Sequence, residues 1–123
     1  LKKLKARGIE LHVRSLFLQG VLLASPPSLP AYFDLIKPVL QDLQSSLKQR
    51  GWSPLEGVFN FMEGVNPDYG IVGAASLKEW LEITSAFKKR PLSRPHFNFS
   101  TFACVDEKII NPVFWPKTRP VPV

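Results

Sequence analysis

The chain has 123 residues, of which 45% are hydrophobic and 21% are charged. This length and composition predict one folded domain and argue against a chain that is disordered throughout. No apolar run reaches the ~18 residues of a transmembrane helix. A single cysteine, Cys104, excludes an internal disulfide framework and favours a reducing, cytoplasmic compartment.

The net charge of +6 comes from 16 basic and 10 acidic residues. Clustered Lys and Arg side chains would suit nucleic-acid phosphates. Here they are scattered over helix ends and loops, and no basic stripe alternates with aromatic residues along one element. We therefore expect solvated helix ends and neither a nucleic-acid-binding nor a membrane-binding surface. Because the sequence does not begin with Met, we also expect it to belong to a longer chain.

The first predicted elements are a helix end and a strand. Leu1 and Leu4 have helical spacing over residues 1–7, and Gly8 fits the left-handed position that follows a helix. Apolar and polar residues alternate from residue 9 to residue 15, which predicts a strand. The strand leads into a loop that contains Gly20.

Three helices and a second strand are predicted next. Apolar residues keep helical spacing from Tyr32 to Leu47, and Pro38 predicts a kink, or a short helix followed by a longer one from about residue 38. Two capping boxes begin at Ser53 and Ser76. Residues 69–73 between these two helices predict a short, buried strand. The last helix is expected to turn four apolar residues inward, namely Leu77, Trp80, Leu81 and Phe87.

The alternation of strands and helices over residues 1–90 predicts an α/β protein built from parallel βαβ units. Residues 91–123 are rich in proline and predict an extended, partly packed C-terminal tail. Two parallel strands do not make a stable sheet alone, so we expect other strands outside this chain to complete it.

Four segments together resemble the aldo-keto reductase superfamily. Residues 14–22, RSLFLQGVL, resemble its segment Y-S-P-L-x-Q-G-L-L, and residues 53–58, SPLEGV, resemble S-P-A-Q-x-A. Residues 71–82, IVGAASLKEWLE, are similar to I-P-G-A-x-S-x-E-Q-L-x-E. Residues 109–115, IINPVFW, resemble the tail I-x-[DN]-P-x-x-W of some members. The segments follow one another in the family's order, which makes the resemblance more specific than any one of them.

The resemblance implies the C-terminal part of a (β/α)8 TIM barrel, incomplete in this chain. Residues 9–15 would be its seventh strand and residues 69–73 its eighth, with their helices and the tail. It also implies NAD(P)H-dependent reduction of a small carbonyl substrate. The family's catalytic Asp, Tyr, Lys and His lie in the first half of the barrel, which this chain lacks. We therefore expect no catalytic residue here and no activity from the chain alone, and the carbonyl substrate stays undefined.

The resemblance carries over cofactor-binding residues from two loops. The loop after the seventh strand contacts the pyrophosphate in the family, and the start of the last helix holds the adenosine phosphate. Glycine-rich backbone and helix N-termini suit phosphate oxygens on chemical grounds as well. The corresponding residues are Ser15, Phe17, Gln19 and Gly20 in the first loop, Gly73, Ala74, Ala75 and Ser76 in the second, and Glu82 with Ile83 at the adenine.

Glu79 bears on the choice between NAD and NADP. Many NADP-using members have Arg at this helix position, whereas a carboxylate repels a 2′-phosphate and accepts a hydrogen bond from a ribose 2′-hydroxyl. Glu79 therefore slightly favours NAD, while Lys78 beside it argues for NADP. A simpler alternative is that Ser76 and Glu79 only cap the helix.

A second function is compatible with the same sequence. The chain would then be a non-catalytic, truncated module that associates with itself or with a partner through open strand edges. No residue suggests catalysis outside the resemblance, because Tyr32, Tyr69, His12 and His96 lie in no matching motif. The two His and one Cys have no metal-ligand spacing.

Overall fold

A computed structural model of the chain describes residues 1–90 and 97–117. About 53% of these residues are helical, and two very short strands are the extended elements among them. The helices are α1 (Lys2–Ala6), α2 (Lys37–Gln49), α3 (Pro54–Val65), α4 (Leu77–Lys88) and α5 (Glu107–Ile110), and the strands are β1 (His12–Val13) and β2 (Tyr69–Gly70). Short 3₁₀ helices lie at Pro26–Ser28, Ala31–Phe33, Phe99–Phe102 and Pro112–Phe114. None of the described helices combines the length and the apolar character that spanning a bilayer demands.

The chain divides into two compact units. The first unit consists of Leu1–Leu16 and Leu55–Phe97, and the second of Phe17–Pro54 and Asn98–Val123. The first contains both strands with α1, α4 and nearly all of α3, and the second contains α2 and α5.

The first unit is organised by the parallel pairing of β1 with β2. His12 lies opposite Tyr69, and Val13 lies opposite Gly70. The backbone oxygen of Leu11 accepts hydrogen bonds from the amides of Asp68 and Tyr69 at 2.9 and 3.1 Å. The Asp68 carboxylate in turn accepts from the Leu11 amide at 2.7 Å. This reciprocal set fixes the amino ends of both strands and therefore their register.

Aromatic packing and one ion pair join α3 to the segment around the end of α4. The rings of Phe59 and Phe87 meet edge to face, with centroids 5.3 Å apart. The Arg90 guanidinium lies 4.0 Å from the centre of the Phe87 ring, and its Nε donates to the Glu63 carboxylate at 2.6 Å. Because the guanidinium both stacks on Phe87 and pairs with Glu63, it joins the two helices through one side chain.

The second unit has a hydrophobic core and a set of bonds around its C-terminal segment. The Trp115 ring meets Phe33 edge to face at 4.9 Å, and its indole nitrogen donates to the Ile109 backbone oxygen at 2.8 Å. The Tyr32 hydroxyl lies within hydrogen-bond distance of the backbone oxygens of Lys108 and Phe114, to either of which its one proton can be donated. These contacts hold residues 108–115 so that Ile109 joins the buried cluster of Val21, Ala24, Leu29, Phe33 and Leu40.

Most predicted helix boundaries are confirmed. Gly8 follows α1 with φ of +72°, as its position after a helix requires. The 3₁₀ helix at Ala31–Phe33 precedes α2, which matches a short helix followed by a longer one from about residue 38. Helix α3 begins at Pro54, and α4 begins after its N-cap Ser76.

The predicted fold class is wrong. A mostly helical chain with one two-stranded parallel sheet does not resemble part of a (β/α)8 barrel, and it is not an α/β protein of repeated βαβ units. The alternation over residues 9–15 yields a strand of two residues, because among the described residues β2 is the only strand that pairs with it. Strand propensity depends on neighbouring strands, so the pattern alone does not set the strand length.

Two predicted burial patterns are also wrong. Residues 69–73 do not form a buried strand, since Tyr69 is 56% and Ile71 is 52% exposed. Helix α4 buries Ile83 and Ala86, whereas the four residues expected to face inward, Leu77, Trp80, Leu81 and Phe87, are at least 40% exposed. Leu77 and Leu81 share a helical face that the first unit leaves uncovered, and the buried positions lie on the neighbouring part of the helix surface.

The predicted extended tail contains three short helical segments between residues 97 and 117. Each begins with a side-chain oxygen that accepts a hydrogen bond from the amide two residues later. Asn98 accepts from Ser100, Asp106 from Lys108, and Asn111 from Val113. These side-chain hydrogen bonds stabilise helical turns in a segment that was predicted to be extended. The parts of the tail prediction at residues 91–96, including His96, and at residues 118–123 lie outside the described residues.

We predict that Asp68→Ala lowers the free energy of unfolding of the first unit by about 1–2 kcal/mol, because the buried Leu11 amide loses its acceptor. Asp42→Ala is the matched control, since Asp42 is exposed on α2. Urea unfolding gives the free energies, and hydrogen exchange at the Leu11 amide gives the local effect. Equal stability of the two variants would show that the Asp68 carboxylate does not hold the strands in register.

Candidate functional site

In the first unit, Ser15 of the first predicted cofactor loop and residues 73–76 of the second lie at the same end of the sheet, where both strands have their carboxyl ends. Ser15 follows β1 by two residues, and Gly73 follows β2 by three. The Ile71 amide donates to the Val13 backbone oxygen at 2.8 Å, which extends the parallel pairing toward this edge. The carboxyl ends of adjacent parallel strands are the usual place for nucleotides and other ligands in open parallel sheets.

Ser15 has an unusual backbone. Its φ is +59°, in the left-handed region that non-glycine residues seldom adopt. Strained backbone of this kind is concentrated at ligand-binding and switch segments, although it does not identify a ligand. The residue is exposed, so its hydroxyl is accessible at the carboxyl edge of the sheet.

Ser76 and Glu79 both cap the N-terminus of α4, but the Glu79 carboxylate reaches the amide before the N-cap residue and not the amide of Ser76 itself. The Ser76 hydroxyl oxygen accepts from the Glu79 amide at 3.1 Å, and the Glu79 carboxylate accepts from the Ala75 amide at 2.6 Å. The amides of Leu77 and Lys78, which follow the cap, donate to no acceptor within residues 1–90 and 97–117. The capping role predicted for Ser76 and Glu79 is confirmed, and two further amides stay available for an anion.

The remaining predicted residues near α4 differ in their surroundings. Gly73, Ala74 and Ala75 are exposed, and a Cβ atom placed on Gly73 would meet nothing within 4 Å. The Glu82 carboxylate lies 3.9 Å from the Lys78 ammonium, four residues earlier on the exposed side of α4. Ile83, which stands where the family has an adenine-binding Asn, is 7% exposed and belongs to the packing of the helix. The second loop is therefore open to solvent, whereas Ile83 is buried within α4.

Phe17, Gln19 and Gly20 belong to the second unit, whereas the other predicted cofactor residues belong to the first. Leu18, Gln19 and Gly20 follow one another with φ of +48°, +50° and +90°. The Gly20 amide donates to Phe17 at 3.0 Å, and the Val21 amide donates to Leu18 at 3.1 Å. These two amides close a turn and are not available to phosphate oxygens.

Gly20 has a structural role that the resemblance to the aldo-keto reductases does not imply. It is buried, and its backbone oxygen accepts from the amides of Leu23 and Ala24 at 3.1 and 3.0 Å. A β-branched residue is strained at its positive φ. We therefore expect Gly20→Val to disturb the second unit, so this variant does not report on a cofactor contact.

Sequence reasoning missed a cavity in the first unit. It has a volume of about 510 Å³ and lies between α3, the segment around β2, and α4. Its wall includes Met62, Trp80 and Thr84. The helical spacing of these residues indicated helix faces, but a cavity depends on how three elements pack and leaves no signature in spacing alone.

Comparisons of this chain with protein-family models, with curated proteins and with solved structures found no match.

We predict that Ser76→Ala destabilises the first unit by about 1 kcal/mol, because the Glu79 amide loses its acceptor at the N-terminus of α4. Ser85→Ala, in the exposed interior of the same helix, is the matched control and should leave stability unchanged or slightly raised. Thermal unfolding followed by circular dichroism measures both variants. A Ser76→Ala protein as stable as the control would show that the cap contributes nothing.

Proposed function

We propose that this chain is the cofactor-binding portion of an NAD(P)H-dependent carbonyl reductase of the aldo-keto reductase type. In this proposal the chain binds the nicotinamide cofactor and supplies none of the family's catalytic groups. The observation that carries the proposal is the parallel pairing of β1 with β2. It directs Ser15 and residues 73–76 to one sheet edge, beside the N-terminus of α4.

The chemistry of this edge suits a phosphate group. The accessible hydroxyl of Ser15 and the amides of Leu77 and Lys78 are hydrogen-bond donors, and the N-terminus of α4 adds a partial positive charge. A small carbonyl substrate would take its hydride from the bound cofactor. The groups that orient the carbonyl and donate its proton would come from outside this chain.

Glu79 would set the preference between the two cofactors. Its carboxylate accepts from Ala75 at the very start of α4, so a negative charge lies beside the place proposed for the adenosine phosphate. A 2′-phosphate adds about −1.5 to −2 charges at neutral pH. Repulsion then favours NAD over NADP, and the exposed Lys78 reduces this preference because its ammonium lies next to the same helix end.

We predict that Glu79→Arg shifts the affinity ratio of the chain toward NADPH by at least about threefold, since repulsion is replaced by a charge-assisted bond. Glu79→Gln should produce a smaller shift in the same direction, because glutamine keeps the capping interaction without the charge. Titration of NADH and NADPH, followed by cofactor fluorescence, measures the ratio.

Glu107→Gln is the matched control, because it removes the same charge from α5 in the second unit and should leave the ratio unchanged. Failure of the wild-type chain to bind either dinucleotide would overturn the proposed function. Binding with the same ratio in all variants would remove Glu79 from the cofactor site and leave it only as a cap.

A second candidate function is self-association, or binding of a partner, through the open edges of the strand pair. The observation that favours it is the two-stranded sheet itself, in which each described strand pairs with one neighbour only. The side chains of Tyr69 and Ile71, at and just after β2, are more than half exposed. Exposed apolar side chains beside an unpaired strand edge favour association with another chain.

We predict that the 13.9 kDa chain self-associates, and that Ile71→Lys shifts it toward the monomer by placing a charge at the strand edge. Leu35→Lys is the control, since Leu35 is 80% exposed in the second unit. Light scattering after size-exclusion chromatography gives the mass across a concentration series. A compact wild-type monomer at every concentration would contradict the edge-association function.

A further inference from the structure

The cavity of the first unit has the size and lining of a small-molecule site. Its volume of about 510 Å³ falls within the range of ~300–1,000 Å³ that is typical of ligand pockets. Phe59 and Met62 line it from α3, and Trp80, Ile83 and Phe87 line it from α4. This wall is apolar and largely aromatic, so it favours an apolar ligand body.

Three polar side chains of the lining already have partners within the unit. The Glu63 carboxylate pairs with Arg90 at 2.6 Å. The Asp68 carboxylate accepts from the Leu11 amide at 2.7 Å and lies 3.7 Å from the Lys5 ammonium. The Thr84 hydroxyl donates to the Trp80 backbone oxygen in its own helix at 2.9 Å.

Lys88 differs from these groups. It also lines the cavity, and its ammonium forms no ion pair with any residue that the structure describes. The two lining carboxylates are each matched by a cation, Arg90 or Lys5, so the charge left over at the cavity is the positive charge of Lys88.

We propose that this cavity binds a small amphipathic monocarboxylic acid, with its apolar body among the aromatic side chains and its carboxylate on the Lys88 ammonium. The proposal is independent of the dinucleotide function. Lys88 is the last residue of α4, eleven residues after Leu77, so it lies about 16 Å along the helix from the N-terminus assigned to the cofactor phosphate.

The test compares two ligands with the same chain length, octanoate and 1-octanol, by isothermal titration calorimetry on the full chain at low ionic strength. The wild type should bind octanoate about three- to fivefold more tightly, which is the upper part of the range of an exposed ion pair. Lys88→Gln should abolish this preference and leave the affinity for octanol unchanged. High salt should reduce the preference in the wild type.

Lys89→Gln is the matched control, because Lys89 is the exposed neighbour that does not line the cavity. It should retain the preference of the wild type. A preference lost equally in both variants would show a general effect of basic charge on α4 and would overturn the role of Lys88. Equal affinities for octanoate and octanol in the wild type would overturn the acid specificity.

A cavity-filling variant tests where the ligand lies. Thr84→Phe places a ring at the half-buried wall and should weaken both ligands by more than tenfold, while the Trp80 fluorescence response to ligand is lost. Circular dichroism establishes that the helices are retained. Unchanged affinity in a folded Thr84→Phe protein, or no binding of either ligand by the wild type, would overturn the proposal. Loss of binding in this variant together with retained binding in Lys89→Gln supports it.

Discussion

The pairing of Leu11 with Asp68 is the interaction on which the first unit depends. The backbone of Leu11 donates to the Asp68 carboxylate and accepts from the amides of Asp68 and Tyr69, so two segments 57 residues apart in sequence are held by three hydrogen bonds. The carboxylate also holds the Lys5 ammonium at 3.7 Å, which ties α1 to the same point. Because the strands are parallel and their amino ends are held together, the carboxyl ends of β1 and β2 lie side by side. Two features follow from this register. One is the carboxyl end of the sheet, where we propose that the cofactor binds, and the other is the position of β2 beside the cavity.

The helix ends were predictable from the sequence, and the strands and buried faces were not. Each of these helix ends is set by one residue acting locally. Gly8 adopts a positive φ after α1, Pro54 fixes φ at the start of α3, and the Ser76 side chain caps α4. Strand length depends instead on partners distant in sequence, and β1 has only β2 beside it in the described chain. The alternation of strand and helix patterns and the resemblance to the barrel family both imply further strand partners, and the described residues supply one partner only, so the fold-class prediction is wrong. The buried stripe of α4 was misplaced for a related reason, because periodicity shows that a helix has apolar faces but not which face a neighbour covers.

The candidate site shows the same division between local and long-range information. The spacing of three residues between Ser76 and Glu79 predicts that they cap α4, and the structure contains a capping hydrogen bond accepted by each side chain. The turns at Asn98, Asp106 and Asn111 had an equally local signal, a short polar side chain before each helical segment, and sequence reasoning overlooked it in favour of the proline content. The importance of Gly20 was foreseen, but its burial and its role as an acceptor for two amides depend on tertiary packing. The cavity has no local signal at all, because its walls come from Leu16 and from separate segments within residues 59–72 and 80–88.

The two proposals place an anion at opposite ends of α4, and each relies on a different source of positive charge. At the N-terminus the backbone itself is attractive, since the Leu77 and Lys78 amides point outward and the helix dipole adds positive potential. At the C-terminus the dipole has the opposite sign and disfavours an anion, so any attraction for a carboxylate must come from a side chain. Lys88 satisfies this requirement because it lines the cavity and forms no ion pair in the part of the chain that the structure describes. In the two proposals, a ligand acid at this end depends on one side chain and on the apolar wall, whereas a phosphate at the other end depends on backbone amides, which truncation of a side chain does not remove.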